Sequence, residues 1–282
     1  MEPTYHTIAT SDGLNLHVQD SGTDGPVVLC LHGLTRNCRD FDTIYERLID
    51  RYRMIAIDQR GRGCSDWDHD PTRYQVGTYV ADTLHVLKQL NIDSVILVGT
   101  SMGGLMGMLI AAMPEHPLRA LVLNDVGPEL DPAGLQRIQQ YVGETPVIAS
   151  WEEAAAAARR NNEAAFPNWG DDAWMRFAKK LFHESDAGIV LSYDPAISAP
   201  LRADTTTAVP PDLWPIFEAG RALPTLLLRG ELSDILAADV AERMAERHPR
   251  LSLTQVRNTG HAPMLDEPDA WQALDQFLRS LP

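Results

Sequence analysis

The stretch that decides the fold is SVILVGTSMGGLMGMLIAAM, residues 94–113. Its first half, Ser94 to Gly99, is a short β-branched run that reads as a strand buried on both faces. Its second half, Ser101 to Met113, is apolar nearly all round and reads as a buried helix. Between them stands Gly99-Thr100-Ser101-Met102-Gly103. A strand–turn–helix of this form presents its serine on a strained turn, hydroxyl above the sheet. Side chains at 99 or 103 would collide with the neighbouring strand or helix, and glycine removes the collision. The serine also stands at a helix amino terminus, where free N–H groups and the helix dipole favour an anion. The plainer alternative is a serine N-cap with glycines for close packing.

Outward from this turn, strands and helices alternate. Tyr5 to Thr10 and Leu14 to Asp20 form a hairpin around Ser11-Asp12-Gly13. Further strands are expected at Val27–Leu31, Arg53–Asp58, Leu118–Asp125, Pro224–Gly230 and Leu251–Val256, and helices at Val76–Leu90, Leu236–Arg247 and Ala270–Leu278. This order predicts an α/β chain with a doubly wound, mostly parallel sheet and right-handed crossovers. From Gly127 to Leu223 the rhythm breaks. WEEAAAAARRNNEAAF, from Trp151, has strong helix propensity, and Asp172 to His183 reads as a second helix. Nearly a hundred residues between two core strands exceed a crossover, so residues 127–223 are expected to form a helical cap inserted into a core of 1–126 and 224–282.

The formal net charge of −15 excludes the clustered basic surface that a nucleic-acid partner requires, and it disfavours an anionic membrane surface. No basic segment followed by an apolar run opens the chain, and no stretch is long and apolar enough to span a bilayer. The odd cysteine count, Cys30, Cys38 and Cys64, suits a reducing compartment, and the expected location is cytoplasmic. Their spacing matches no zinc pattern, and no metal or other cofactor is expected.

A serine hydroxyl needs a base to act as a nucleophile at neutral pH. Of nine histidines, His261 stands best placed, in NTGHAPMLDEP after the last strand, where Asn258-Thr259-Gly260 supplies turn chemistry. A carboxylate must fix its tautomer. Asp234, in RGELSDIL beyond the strand PTLLL, is the favoured acid, with Glu231 and Asp125 as rivals. Each lies at the carboxyl edge of a strand, where open α/β sheets place their sites. The backbone N–H groups of Leu34, after the strand VVLCL, and of Met102 are the candidate oxyanion donors. His32 reads best as a brace for that loop, with a place in the pocket as the alternative.

Together these motifs resemble the α/β-hydrolase superfamily, in its cofactor-free esterase-like branch. The resemblance rests on HGL at 32–34, DQRGRGCSD at 58–66, GTSMGG at 99–104, RGELSD at 229–234 and GHAPMLDEP at 260–268, all in family order. It implies an eight-stranded sheet, a helical cap and a Ser101–His261–Asp234 triad cleaving a carboxylic ester through an acyl-enzyme. Carbon–carbon bond hydrolysis, lactone hydrolysis and a non-catalytic receptor on the same fold are the alternatives. A serine at the elbow argues against the dehalogenases and epoxide hydrolases that resemble this fold but attack with a carboxylate. Residues 58–63 resemble a structural turn of the superfamily. They lack the lysine and spacing of a phosphate loop. The expected partner is a small, largely apolar ester or acyl compound. Of the cap aromatics Trp151, Phe166, Trp169, Trp174, Phe177 and Trp214, most are expected to make the cap's own core, with Trp151, Trp169 and Trp214 as the candidates for the pocket. Arg202 and Arg221 are weaker candidates for a substrate carboxylate, with surface roles as the alternative. Oligomeric state is not legible.

Overall fold

A computed structural model describes residues 3–200 and 212–282. Eight strands form one sheet: β1 (Thr4–Ala9), β2 (Asn15–Asp20), β3 (Val27–Leu31), β4 (Arg53–Ile57), β5 (Val95–Thr100), β6 (Leu118–Asn124), β9 (Thr225–Gly230) and β10 (Leu251–Val256). Their order is β1-β2-β4-β3-β5-β6-β9-β10. β2 runs antiparallel to β1 and β4, and every other pairing is parallel. Each predicted strand is present, with its ends as expected or displaced by one residue.

The continuous apolar runs are explained by burial on both faces. In β5, Val95 and Leu97 enter one core cluster while Ile96 and Val98 enter the other, the period-two alternation of a strand. Helices α2 (Val76–Gln89) and α3 (Met102–Ala111) cover the first face together with α7 (Trp214–Ala219) and α8 (Ala238–Arg247). Helices α1 (Asp42–Leu48) and α9 (Pro268–Ser280) cover the second.

Between β6 and β9 the described chain forms α4 (Pro132–Tyr141), α5 (Trp151–Asn162), α6 (Asp171–Leu181) and a hairpin of β7 (Phe182–Ser185) and β8 (Gly188–Leu191), and the stretch from α4 to β8 is called the cap below. Residues from Ile148 to Ile189 pack around a core of their own, built on Phe166, Trp174 and Phe177. α7 instead sends Trp214 and Phe217 into the main core. The helix expected at 172–183 ends at Leu181, because Phe182 and His183 pair with β8 across a turn closed by Gly188 at φ +123°. Ser150 caps α5 by accepting the Glu153 N–H at 3.2 Å.

The turn at 58–66 is held by Arg60. Its fully buried guanidinium meets Asp82 at 2.7 Å, Asp68 at 2.6 Å and Asp12 at 2.8 Å. The Arg60 hydrogen bond holds the Asp12 carboxyl down at about 2.

α3 packs against the sheet at backbone distance. A methyl on Gly103 would stand 2.1 Å from the Leu31 carbonyl oxygen, and one on Gly99 would stand 2.4 Å from Gly103. Gly103→Ala is expected to cost about 1–3 kcal/mol, because backbone rather than a flexible side chain must move. Urea unfolding checks this: the midpoint falls at unchanged slope. An unshifted midpoint would contradict the close approach.

Candidate active site

Ser101 follows β5 directly, at φ 51° and ψ −112°, in the left-handed region that a serine rarely occupies. The strain is held by the flanking chain: its N–H donates to the Asn124 carbonyl on β6 at 3.0 Å, and its carbonyl accepts from Gly104 and Leu105 in the first turn of α3. The side chain thus leaves the sheet at the carboxyl edge. Ser101 Oγ lies 2.9 Å from His261 Nε2, and His261 Nδ1 lies 2.8 Å from Asp125 Oδ2.

His261 reaches Ser101 from three strands away. The loop after β10 crosses the end of β9 against Gly230, where a methyl would meet the Thr259 and Gly260 carbonyls at 2.6 Å. The loop is then pinned on both sides: Gly260 N–H donates to the Ala165 carbonyl at 2.7 Å, and Asn124 Nδ2 donates to the Pro263 carbonyl at 2.8 Å.

The acid is where the structure departs from the sequence reading. Asp234 makes no hydrogen bond to His261. It takes two from Arg137 on α4, one of them at 2.9 Å. Burial by itself would raise the Asp234 carboxyl, but the Arg137 bonds outweigh it and hold the group below the usual carboxylate range. Asp125 occupies the partner position instead. β6 lies beside β5, with Thr100 level with Asn124, so the next residue of each chain, Ser101 and Asp125, emerge as neighbours. Asp234 comes four residues after β9, a strand farther from the serine. Asp125 is 0% exposed. Its Oδ1 accepts the Gly230 N–H at 2.8 Å, and its Oδ2 accepts the Ser233 hydroxyl at 2.6 Å alongside the imidazole. A buried carboxylate with three donors is satisfied and rigid. Glu231 is occupied elsewhere, accepting the Asn258 N–H at 2.7 Å.

Leu34 lies on the loop after β3, which passes against Ser101: a methyl on Gly33 would stand 3.7 Å from Ser101 Cβ. Met102 opens α3, so no carbonyl one turn back within the helix can take its N–H. His32 does not line the cavity. It is fully buried, with Nδ1 2.7 Å from the Gly33 carbonyl and Nε2 accepting the Gln59 N–H at 3.0 Å. That pairing sets its tautomer, and burial holds its imidazole below the usual histidine range. It braces the Leu34 loop.

Ser101 and His261 open into a cavity of about 490 Å³ between sheet edge and cap. Its walls include Leu34, Ile138, Tyr141, Phe166, Phe177 and Tyr193, with Arg36, Arg160, Glu144 and Glu153 as charged members. The tryptophans expected there are not among them. Trp169 stacks on Phe166 at 3.9 Å within the cap core. Trp151 packs against that core and donates to Glu184 at 2.9 Å. Trp214 turns to the main core, donates to Glu129 and carries Arg247 over its ring at 4.3 Å. All three indoles are spent on packing, and those of Trp151 and Trp214 also on a carboxylate acceptor, which leaves the cavity wall to phenylalanine and tyrosine. Arg221 is exposed and away from the cavity, and Arg202 lies outside the described residues.

The family model described as the alpha/beta hydrolase fold matches residues 26–268. The 3-hydroxybutyrate-oligomer hydrolase of Cupriavidus necator is 37% identical over 258 residues, covering 89% of this chain and 87% of the relative. The 2-(acetamidomethylene)succinate hydrolase of Mesorhizobium japonicum is 28% identical, covering 88% and 85%. The crystal structure of an alpha/beta hydrolase from Novosphingobium aromaticivorans superposes with a TM-score of 0.93 at 40% identity, covering 99% of this chain and 98% of that one.

The two aspartates are separable by substitution. Asp125→Asn is expected to lower hydrolytic turnover about 10⁴-fold, because the amide favours the wrong imidazole tautomer. Asp234→Asn is expected to stay within about threefold of the parent, since it loses an ion pair to the cap rather than a partner of the base. Steady-state kinetics on both variants check this, and the reverse ranking would return the role to Asp234.

Proposed function

Because this chain belongs to the α/β-hydrolase family and is a hydrolase, we propose that it cleaves a carboxylic ester through an acyl-enzyme on Ser101. The observation that carries the reading is the connected chain Ser101 Oγ–His261 Nε2–His261 Nδ1–Asp125 Oδ2, at 2.9 and 2.8 Å, opening into the cavity described above.

In this mechanism Asp125 accepts from His261 Nδ1–H, which leaves the Nε2 lone pair facing the serine hydroxyl. As Oγ attacks the ester carbonyl carbon, its proton passes to Nε2. The imidazolium so formed is stabilised by the buried Asp125 carboxylate. The carbonyl oxygen becomes an oxyanion and is met by the N–H groups of Leu34 and Met102. Collapse breaks the bond to the alkoxy group, which leaves as an alcohol with the proton from Nε2. Water then attacks the acyl-enzyme, giving its proton to His261, and the serine is restored as the acid departs.

The cavity falls within the range that holds a small organic ligand. Its wall joins apolar side chains to charged ones, so the substrate class is a short ester carrying polar groups. We propose this more polar ester in place of the largely apolar compound expected from the sequence. The 3-hydroxybutyrate-oligomer hydrolase relative supports an ester of a short hydroxy acid.

Ser101→Ala is expected to lose about 10³–10⁶ in turnover on p-nitrophenyl acetate and on a 3-hydroxybutyrate dimer while remaining folded. Intact-protein mass spectrometry of the parent, quenched early, is expected to show one acyl increment that the variant lacks. Near-normal hydrolysis by folded Ser101→Ala would overturn the proposal.

A further inference from the structure

Arg62 stands two residues after Arg60 and is 0% exposed. The two buried guanidinium groups are treated very differently. Arg60 is ringed by three carboxylates. Arg62 has none within ion-pair distance among the described residues. Its Nε donates to the Leu34 carbonyl at 2.9 Å, its Nη1 to the Arg60 carbonyl and the Tyr79 hydroxyl, each at 2.8 Å, and its Nη2 lies 3.9 Å from Met102 Sδ. The rings of Tyr79 and Tyr74 lie 4.7 and 5.6 Å from its central carbon.

An arginine stays charged in a protein, and a buried charge without a counter-ion is costly. Neutral carbonyls, a hydroxyl and π-faces soften that cost without cancelling the charge. Two of the four atoms hydrogen-bonded to this guanidinium belong to Leu34 and Met102. Those are the residues whose N–H groups face the developing oxyanion in the mechanism above. The guanidinium thus touches both residues, and it is not among the side chains that line the cavity.

We infer that Arg62 is the positioning residue of the oxyanion hole: it holds the Leu34 carbonyl and the Met102 side chain in place and supplies buried positive charge that is balanced when the tetrahedral oxyanion forms. The inference rests on the acyl-transfer reading of Ser101. A charge placed this way acts more strongly on the transition state than on the neutral ester, so its removal lowers kcat rather than raising KM.

The test compares Arg62→Met, which keeps length and removes charge, with Arg62→Lys, which keeps charge. Both are assayed on p-nitrophenyl acetate, with thermal melts as the folding control. A boronic acid serves as the transition-state probe. Ser101 Oγ adds to its trigonal boron as the serine O–H bond breaks and its proton passes to His261, and a tetrahedral boronate anion results with every original bond to boron kept. The expected result is a kcat about 10²-fold lower in Arg62→Met, KM within about twofold, boronate affinity weakened in step with kcat, and partial recovery of both in Arg62→Lys. Three results would overturn the inference: a loss confined to KM, a fall in kcat with boronate affinity unchanged, or failure of both variants to fold, which would assign Arg62 to the fold alone. Failure of the acyl-transfer reading is distinguishable, because it would appear in the parent enzyme as absence of boronate inhibition.

Discussion

The structure depends on one register. β5 and β6 pair so that Thr100 stands level with Asn124, and both chains leave the sheet at the same height. The two residues that follow, Ser101 and Asp125, both take positive φ, which turns each side chain out of the strand direction. Ser101 N–H binds the Asn124 carbonyl, and Asp125 N–H binds the Leu228 carbonyl on β9. Strained conformations of this kind persist only where the surroundings over-determine them. Here the parallel ladder does so on both sides. A shift of one residue in this pairing would carry the carboxylate away from the imidazole and turn every core side chain of β6 to the opposite face.

Glycine sets how closely the other parts approach. Gly99 and Gly103 let α3 sit on the sheet, and Gly230 lets the histidine loop cross a strand end. The cap is joined to the same edge by polar contacts. Arg137 on α4 holds Asp234, and Gly260 beside His261 donates to Ala165 after α5. The cap and the His261 loop therefore share a hydrogen bond, so their positions are physically linked. No described helix is long and apolar enough to cross a membrane.

Much of this was legible in the sequence. Apolar runs gave the strands because a doubly covered sheet leaves no polar face to break them. The serine turn was legible because its glycines answer steric needs local to five residues. The identity of the acid was not. Asp125 and Asp234 both follow a strand, and choosing between them requires knowing that β6, not β9, borders the nucleophile strand. Strand order is a non-local property that local patterning does not encode. One signal did favour Asp125: it abuts its strand, while Asp234 lies four residues beyond. The cavity wall was misread for a related reason. Tryptophan is large enough for either role, and the cap core and the Glu129 and Glu184 acceptors that claim these indoles are visible only after folding. Arg62 gave no sign of its isolation, because an arginine among aspartates in sequence need not meet them in space.

The central claim is that the proton on His261 Nδ1 is held by Asp125. Proton NMR at low temperature reads that proton directly, as a strongly deshielded exchangeable resonance assigned to His261 by isotope labelling of the histidines. The account predicts that the resonance is present in the parent, retained in Asp234→Asn and lost or moved far upfield in Asp125→Asn. Its survival in Asp125→Asn together with its loss in Asp234→Asn would contradict the account.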